Sequence, residues 1–208
     1  MSLKLIFYLF ATYILGAIPT GYIVGYIFKG IDIRNYGSKN IGFTNVLRVL
    51  GTWPAVIVLI IDIAKGFIPV FLCRFVLNEV TDVVIILIGT IAIVGHNWTI
   101  FLNFNGGKGV NTSLGVWLAI VPEIMLVILL IWALVIYFTR YMSLSNIIAT
   151  VLLVILVIIY HNNSLSIVIF SVITSLLVIY RHKANIERLI KGQETKIGEK
   201  VEIDIENK

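Results

Sequence analysis

Long apolar stretches alternate with short polar ones along almost the whole chain. Apolar residues dominate Leu3–Phe28, Trp53–Leu77, Val83–His96, Val110–Val121, Glu123–Tyr137, Leu144–Tyr160 and Leu165–Tyr180. Runs of roughly 18 or more apolar residues mark membrane-spanning helices. A backbone surrounded by lipid must satisfy its own hydrogen bonds, as helices or as a closed barrel. The short alternating segments of a barrel are missing from this sequence. The pattern therefore predicts an all-α membrane protein, a polytopic helical bundle of about seven transmembrane helices, with residues 1–208 forming one integral-membrane domain.

The interruptions refine this picture. Gly16, Pro19, Gly21 and Gly25 in the first stretch suit close helix packing or a kink. Pro122 divides the apolar residues between Val110 and Tyr137, because proline is best tolerated at a helix start. Without that division there are six spans, and the C-terminal tail lies opposite the first polar loops. With it there are seven, and Lys29–Gly51, Asn103–Lys108, Arg140 and the tail share one face. On that reading the shared face carries 13 of the 16 basic residues, all but Lys4, Lys65 and Arg74. The opposite turns carry Glu79, Asp82 and Glu123. The positive-inside rule favours this arrangement, with the N-terminus outside and residues 182–208 as a cytoplasmic tail. The short piece Val110–Val121 reaches across only if the membrane thins or the loop before it dips inward.

Composition adds little beyond confirmation. The chain is 59% hydrophobic, and its mean hydropathy is +1.01. The single cysteine, Cys73, forms no internal disulfide and reads as a packing residue. The first stretch lacks a cleavage pattern and reads as a retained span. The net charge of +5 is charge placement for topology and calls for no nucleic-acid partner. Asp62 and Lys65 lie three apart inside a span, on one helix face. Intramembrane charges of this kind are functional candidates, and an ion pair that holds helices together is the equal alternative.

Three polar stretches collect on the basic face. Asp32–Gly51 holds Ser38, Asn40, Gly42, Thr44, Asn45 and Arg48, small hydroxyl and amide residues among glycines, as an anion or polyol site requires; a solvated loop is the bland alternative. Thr44 and Arg48 are four apart, so an incipient helix presents both on one face. The second stretch, Gly95–Thr112, places His96 at the end of a span and then Gly106, Gly107, Lys108 and Gly109 directly before an apolar helix. Glycines allow N–H groups to approach a ligand, and a helix N-terminus favours an anion. The predicted result is a phosphate site at the membrane surface. It is not a Walker loop, since Leu102 and Gly109 stand where that motif needs Gly and Ser or Thr. The third stretch, Arg181–Arg188, brings His182 and Asn185 to one helix face, although basic residues after a last span also serve merely to grip anionic head groups.

Several chemistries have no sequence support. There is no Gly-x-Ser-x-Gly elbow, no metal-ligand spacing and no His followed four residues on by Asp. Glu187, near that spacing from His182, points to another helix face.

In this order and on one face, the three stretches resemble the bacterial acyl-phosphate:glycerol-3-phosphate acyltransferase family. The first family motif resembles Asp32-Ile33-Arg34, Gly37-Ser38, Asn40, Gly42, Thr44-Asn45, Arg48 and Gly51. The second resembles Gly95-His96, Phe101, Phe104, Gly106 to Val110 and Thr112. The third resembles Arg181-His182, Asn185-Ile186, Arg188-Leu189, Gly192 and Glu194. Asp62 to Gly66 also fits an Asp-x-x-Lys-Gly pattern. Lys39 and Phe43 depart from the first motif, standing where the family usually has Gly and Ala, and Asn111 likewise replaces Ala in the second.

The resemblance implies acyl transfer from acyl phosphate to the 1-hydroxyl of glycerol 3-phosphate, giving 1-acyl-glycerol 3-phosphate and phosphate. It implies Ser38, Arg48, Lys108, His182 and Asn185 as the catalytic set. Substrate binding falls to Asn40, Gly42, Thr44, Asn45, His96, Gly106, Gly107, Gly109 and Thr112. It calls for no cofactor and no metal. The expected partners are glycerol 3-phosphate, long-chain acyl phosphate and membrane lipid, and a soluble enzyme that makes acyl phosphate is a further candidate. The expected location is a bacterial inner membrane, with the site on its cytoplasmic face. The rival reading is a small transporter for a phosphorylated or anionic metabolite; against it stands the lack of an internal repeat.

Overall fold

A computed structural model describes residues 2–199, so residues 200–208 of the predicted tail lie outside the described residues. Within them the chain is helical and has no strand. The helices are α1 (Leu3–Ala17), α2 (Thr20–Lys29), α3 (Phe43–Leu50), α4 (Thr52–Val76), α5 (Asp82–Asn97), α6 (Val110–Ile120), α7 (Pro122–Thr139), α8 (Met142–Tyr160), α9 (Leu165–Arg181) and α10 (Lys183–Ile190). Sequence chemistry sets many of the ends. Thr81 caps α5 and Ser164 caps α9 through side-chain oxygens, and Pro122 opens α7.

Five stretches are long and apolar enough to cross a bilayer, counting α1 with α2, and α9 with the bent α10 makes a sixth. The predicted count of seven is reached only by adding α6. That helix has 11 residues and spans about 16 Å. Its far end is nevertheless level with the other far turns. Glu123, just beyond it, meets His161 at 3.2 Å, as Ser164 meets Asp82 at 2.6 Å. α6 therefore starts well inside the bundle, and the loop before it folds inward.

The first span breaks at Pro19, which cannot donate to a helical ladder. Lipid offers no substitute partner. The protein supplies partners: Thr99 Oγ1 donates to the Ala17 carbonyl, and the Ile18 carbonyl accepts from Lys65 Nζ at 2.9 Å and from Thr20 N–H at 3.0 Å. Asp62 balances Lys65 at 2.7 Å and accepts from Thr20 Oγ1 at 3.0 Å. The intramembrane charges thus tie α4 to the break between α1 and α2. Glycines let the helices approach closely: a Cβ on Gly66 or Gly115 would run into the backbone of the facing helix across the α4–α6 contact. A core around Ile88, Val116, Trp117 and Phe170 holds α5, α6 and α9 together.

Candidate active site

The loop after α5 is built inward. Gly106 and Gly107 donate their N–H groups to the carbonyls of Asn97 and His96, each at 3.1 Å. Arg181, at the end of α9, donates to the carbonyls of Gly106 and Gly107 and stacks over Trp98. A Cβ on Gly107 would overlap the His96 ring. The two glycines therefore pack the loop and are not free to offer N–H groups to a phosphate. Gly109 has φ +80° and lies against the Asn97 amide, where only glycine is unstrained. The donors left over are the N–H groups of Val110, Asn111 and Thr112, which have no partner among the described residues. They form the N-terminus of α6, where a helix favours an anion. Gly107→Ala should push the His96 ring and displace Lys108, raising the Michaelis constant of a phosphorylated substrate about tenfold or more; an unchanged constant in steady-state kinetics would count against this packing.

The loop before α3 is held by Asn45. Its side chain accepts from Ser38 N at 2.7 Å and donates to the carbonyls of Ile33, Tyr36 and Asn40. Asn40 accepts from Gly42 N at 2.8 Å. Both asparagines border the cavity, yet their first job is to shape the loop that presents Ser38. Lys39 takes φ +59°, the left-handed conformation that explains why glycine suits this position. On α3, Thr44 and Arg48 share a face as the spacing predicts, and Arg48 donates to the Thr195 carbonyl at 2.9 Å.

These parts meet in a cavity of about 360 Å³. Ser38, Asn40, Gly42, Thr44, Asn45, Arg48, His96, Lys108, Gly109, His182 and Asn185 border it. Gly106, Gly107 and Thr112 do not: the first two face the end of α5, and Thr112 is fully buried against Gly66 of α4. Lys108 Nζ contacts Asn185 Oδ1, and Asn185 Nδ2 donates to Glu194 at 2.7 Å. Glu194 also accepts from Ser143 at 2.8 Å and Arg188 at 2.7 Å. Burial opposes its ionisation, but these three donors outweigh that and hold the carboxyl below its ordinary range. The Glu194–Ser143 hub escapes a reading of the sequence, since the two residues are 51 apart and only Glu194 falls in a motif.

Burial, and then the charges of Arg188, Arg48 and Arg181, lower Lys108 to about 8, against the opposing pull of Glu194. His182 Nδ1 faces the Val178 carbonyl at 2.8 Å. A carbonyl only accepts, so Nδ1 carries the proton and Nε2 is left as an acceptor. Burial and then the Lys108 charge lower His182 to about 4, so it is neutral at pH 7. The cavity therefore offers two fixed cations, a helix N-terminus, a neutral imidazole and several hydroxyl and amide groups. That suits a phosphorylated polyol.

Comparisons with known proteins agree with this chemistry. The family model described as glycerol-3-phosphate acyltransferase matches residues 6–192. A glycerol-3-phosphate acyltransferase of Fusobacterium nucleatum is 49% identical over 89% of this chain and 94% of its own. One of Prochlorococcus marinus is 43% identical over 92% of this chain and 96% of its own. Among solved structures, PlsY (YgiH), an integral membrane glycerol 3-phosphate acyltransferase, is similar in its glycerol 3-phosphate form. That structure has a TM-score of 0.86 and 35% identity, covering 93% of this chain and 96% of that one. Its lysophosphatidic acid form gives a TM-score of 0.84 and 34% identity. With the family model covering nearly the whole helical body, this integral membrane chain belongs to the glycerol-3-phosphate acyltransferase family.

Proposed function

We propose that the protein transfers an acyl group from a long-chain acyl phosphate to the 1-hydroxyl of glycerol 3-phosphate. The products are 1-acyl-glycerol 3-phosphate and inorganic phosphate. The observation that carries the reading is one cavity lined by the cations Arg48 and Lys108 together with apolar residues of the membrane helices. Such a space holds two anionic head groups side by side against their repulsion and leaves an acyl chain in hydrocarbon. Holding the reactants together is worth up to about 7–11 kcal/mol of the barrier.

In the reaction the hydroxyl oxygen attacks the acyl carbon, and the bond from that carbon to the phosphate oxygen breaks. The donor is already an activated anhydride, so no side chain need become acylated. His182 Nε2, the free acceptor of a ring that borders the cavity, takes a hydrogen bond from the attacking hydroxyl on this reading. With its pKa near 4 it is too weak a base to keep the proton at neutral pH, so the proton ends on the departing phosphate. Lys108, Arg48 and the first N–H groups of α6 stabilise the charge that gathers there. The basic end of the bundle is the cytoplasmic face of a bacterial inner membrane on this reading, with the N-terminus outside. A soluble enzyme that makes acyl phosphate then has access to the site.

The test uses detergent-purified protein, palmitoyl phosphate and glycerol 3-phosphate, with acyl-CoA as a parallel donor. Release of phosphate together with lysophosphatidic acid from the acyl phosphate alone is expected. Turnover with acyl-CoA alone would overturn the donor, and no product from folded protein would overturn the reaction. The pH profile is a second check. Lys108 is needed as a cation and its pKa is lowered to about 8, so its charge is present below that pH and lost above it. The value of kcat/KM should fall above pH 8, approaching tenfold per pH unit, whereas kcat falls later because bound anions raise the lysine again. A profile flat to pH 10 would refute this.

A further inference from the structure

The cavity does not stop at its charged residues. Along α8 its wall descends from Ser143, beside Glu194, to Leu153. Ten residues of helix cover about 15 Å, half of a hydrocarbon core about 30 Å thick. The depth is that of one leaflet, the length for which a membrane lipid's acyl chain is made. Leu118, Leu129 and Trp132, which also border the cavity, remain partly exposed. Its deep end is different. Trp117, Met125, Ile128 and Leu153 line it while being only 1%, 6%, 3% and 5% exposed, and all four belong to the same packed core. Trp117 is fixed there, its indole N–H donating to Thr174 Oγ1 at 3.3 Å and its ring packed on Phe170.

We infer that Trp117, Met125, Ile128 and Leu153 form an end stop that selects the length of the transferred acyl chain, with Leu153 as the position that tunes it. The inference rests on the acyl-transfer reading and adds to it a determinant of donor preference. A methylene that fits above the stop leaves water or lipid for a packed apolar wall. A methylene too many must displace core side chains that are already close-packed. Three of the stop residues are stiff or branched, whereas Met125 is unbranched and adaptable, so discrimination should be graded rather than absolute.

The test measures kcat/KM for a series of saturated acyl phosphates of increasing length with the wild-type protein, Leu153→Phe and Leu153→Ala. Leu153→Phe should move the optimum to a shorter chain and Leu153→Ala to a longer one. Each methylene that loses or gains its place should change kcat/KM about fourfold. Opposite shifts separate an end stop from general destabilisation, which would lower the whole profile without moving its maximum. Should a variant not fold, the wild-type protein still decides. Its thermal midpoint, measured with saturating 1-acyl-glycerol 3-phosphates, should rise with chain length up to the optimum and then level off or fall. Unmoved optima in folded variants, or a midpoint that climbs steadily with length, would overturn the end stop. A wild-type protein that transfers no acyl group from any donor would instead overturn the reaction, and the end stop with it.

Discussion

Lys108→Ala should abolish acyl transfer while leaving the bundle folded. Among the described residues Lys108 is the one lysine bordering the cavity, and its ammonium contacts Asn185 rather than an acidic partner. Its removal therefore strands no buried carboxylate. Burial lowers its pKa to about 8, so the folded protein should hold this charge at a cost. Stability should consequently be unchanged or slightly higher. The transition state loses a fixed cation at the point where phosphate charge gathers, an effect usually worth about 10²–10³-fold in rate. On the proposed reaction the same cation also holds two anions together, so the loss should be at the upper end of that range or beyond it. Phosphate release and lysophosphatidic acid formation report the rate, and gel filtration with a thermal melt reports the fold. Near-normal turnover by folded Lys108→Ala would remove the proposed site.

Lys65→Met should give the largest loss of stability. Asp62 and Lys65 are almost wholly buried within the span, with side-chain exposures of 2% and 1%. Taking away one member of a buried pair leaves a charge without compensation and typically costs about 3–5 kcal/mol. It also removes one of the two close donors to the Ile18 carbonyl at the Pro19 break, leaving the Thr20 N–H at 3.0 Å. Adding Asp62→Asn should restore part of the stability but not all of it, because the hydrogen bond from Lys65 to the Ile18 carbonyl stays lost. Denaturation midpoints of the single and double variants in detergent measure both effects. Equal midpoints for the wild-type protein and Lys65→Met would show that the pair does not hold the α1–α2 break, and a purely functional role for the two charges would then stand.

Much of the architecture could be read from local pattern. Seven apolar stretches, the break at Pro122, the gathering of basic residues at one end and the helical face of Thr44 and Arg48 all follow from hydropathy, proline and spacing. Each is a property of neighbours in the chain. The same holds for the glycine at position 109, whose left-handed φ goes with its place before α6. The three motifs also named most of the polar residues that border the cavity, but not its apolar wall.

Tertiary structure decided what each of them does. Gly106 and Gly107 were expected to cradle a phosphate, but their N–H groups go to His96 and Asn97, and the open donors belong to the first turn of α6. Asn45 and Asn40 border the cavity and also knit a loop. Glu194 became the hub that joins Ser143, Asn185 and Arg188, and Arg48 is steadied by the Thr195 carbonyl 147 residues away. The physical reason is common to these cases. Hydrophobic period and turn chemistry act over a few residues and fix which segments are helices and which face is wet. A hydrogen-bond partner, or the closed end of a cavity, depends on which distant helices pack together, and no spacing along the chain records that.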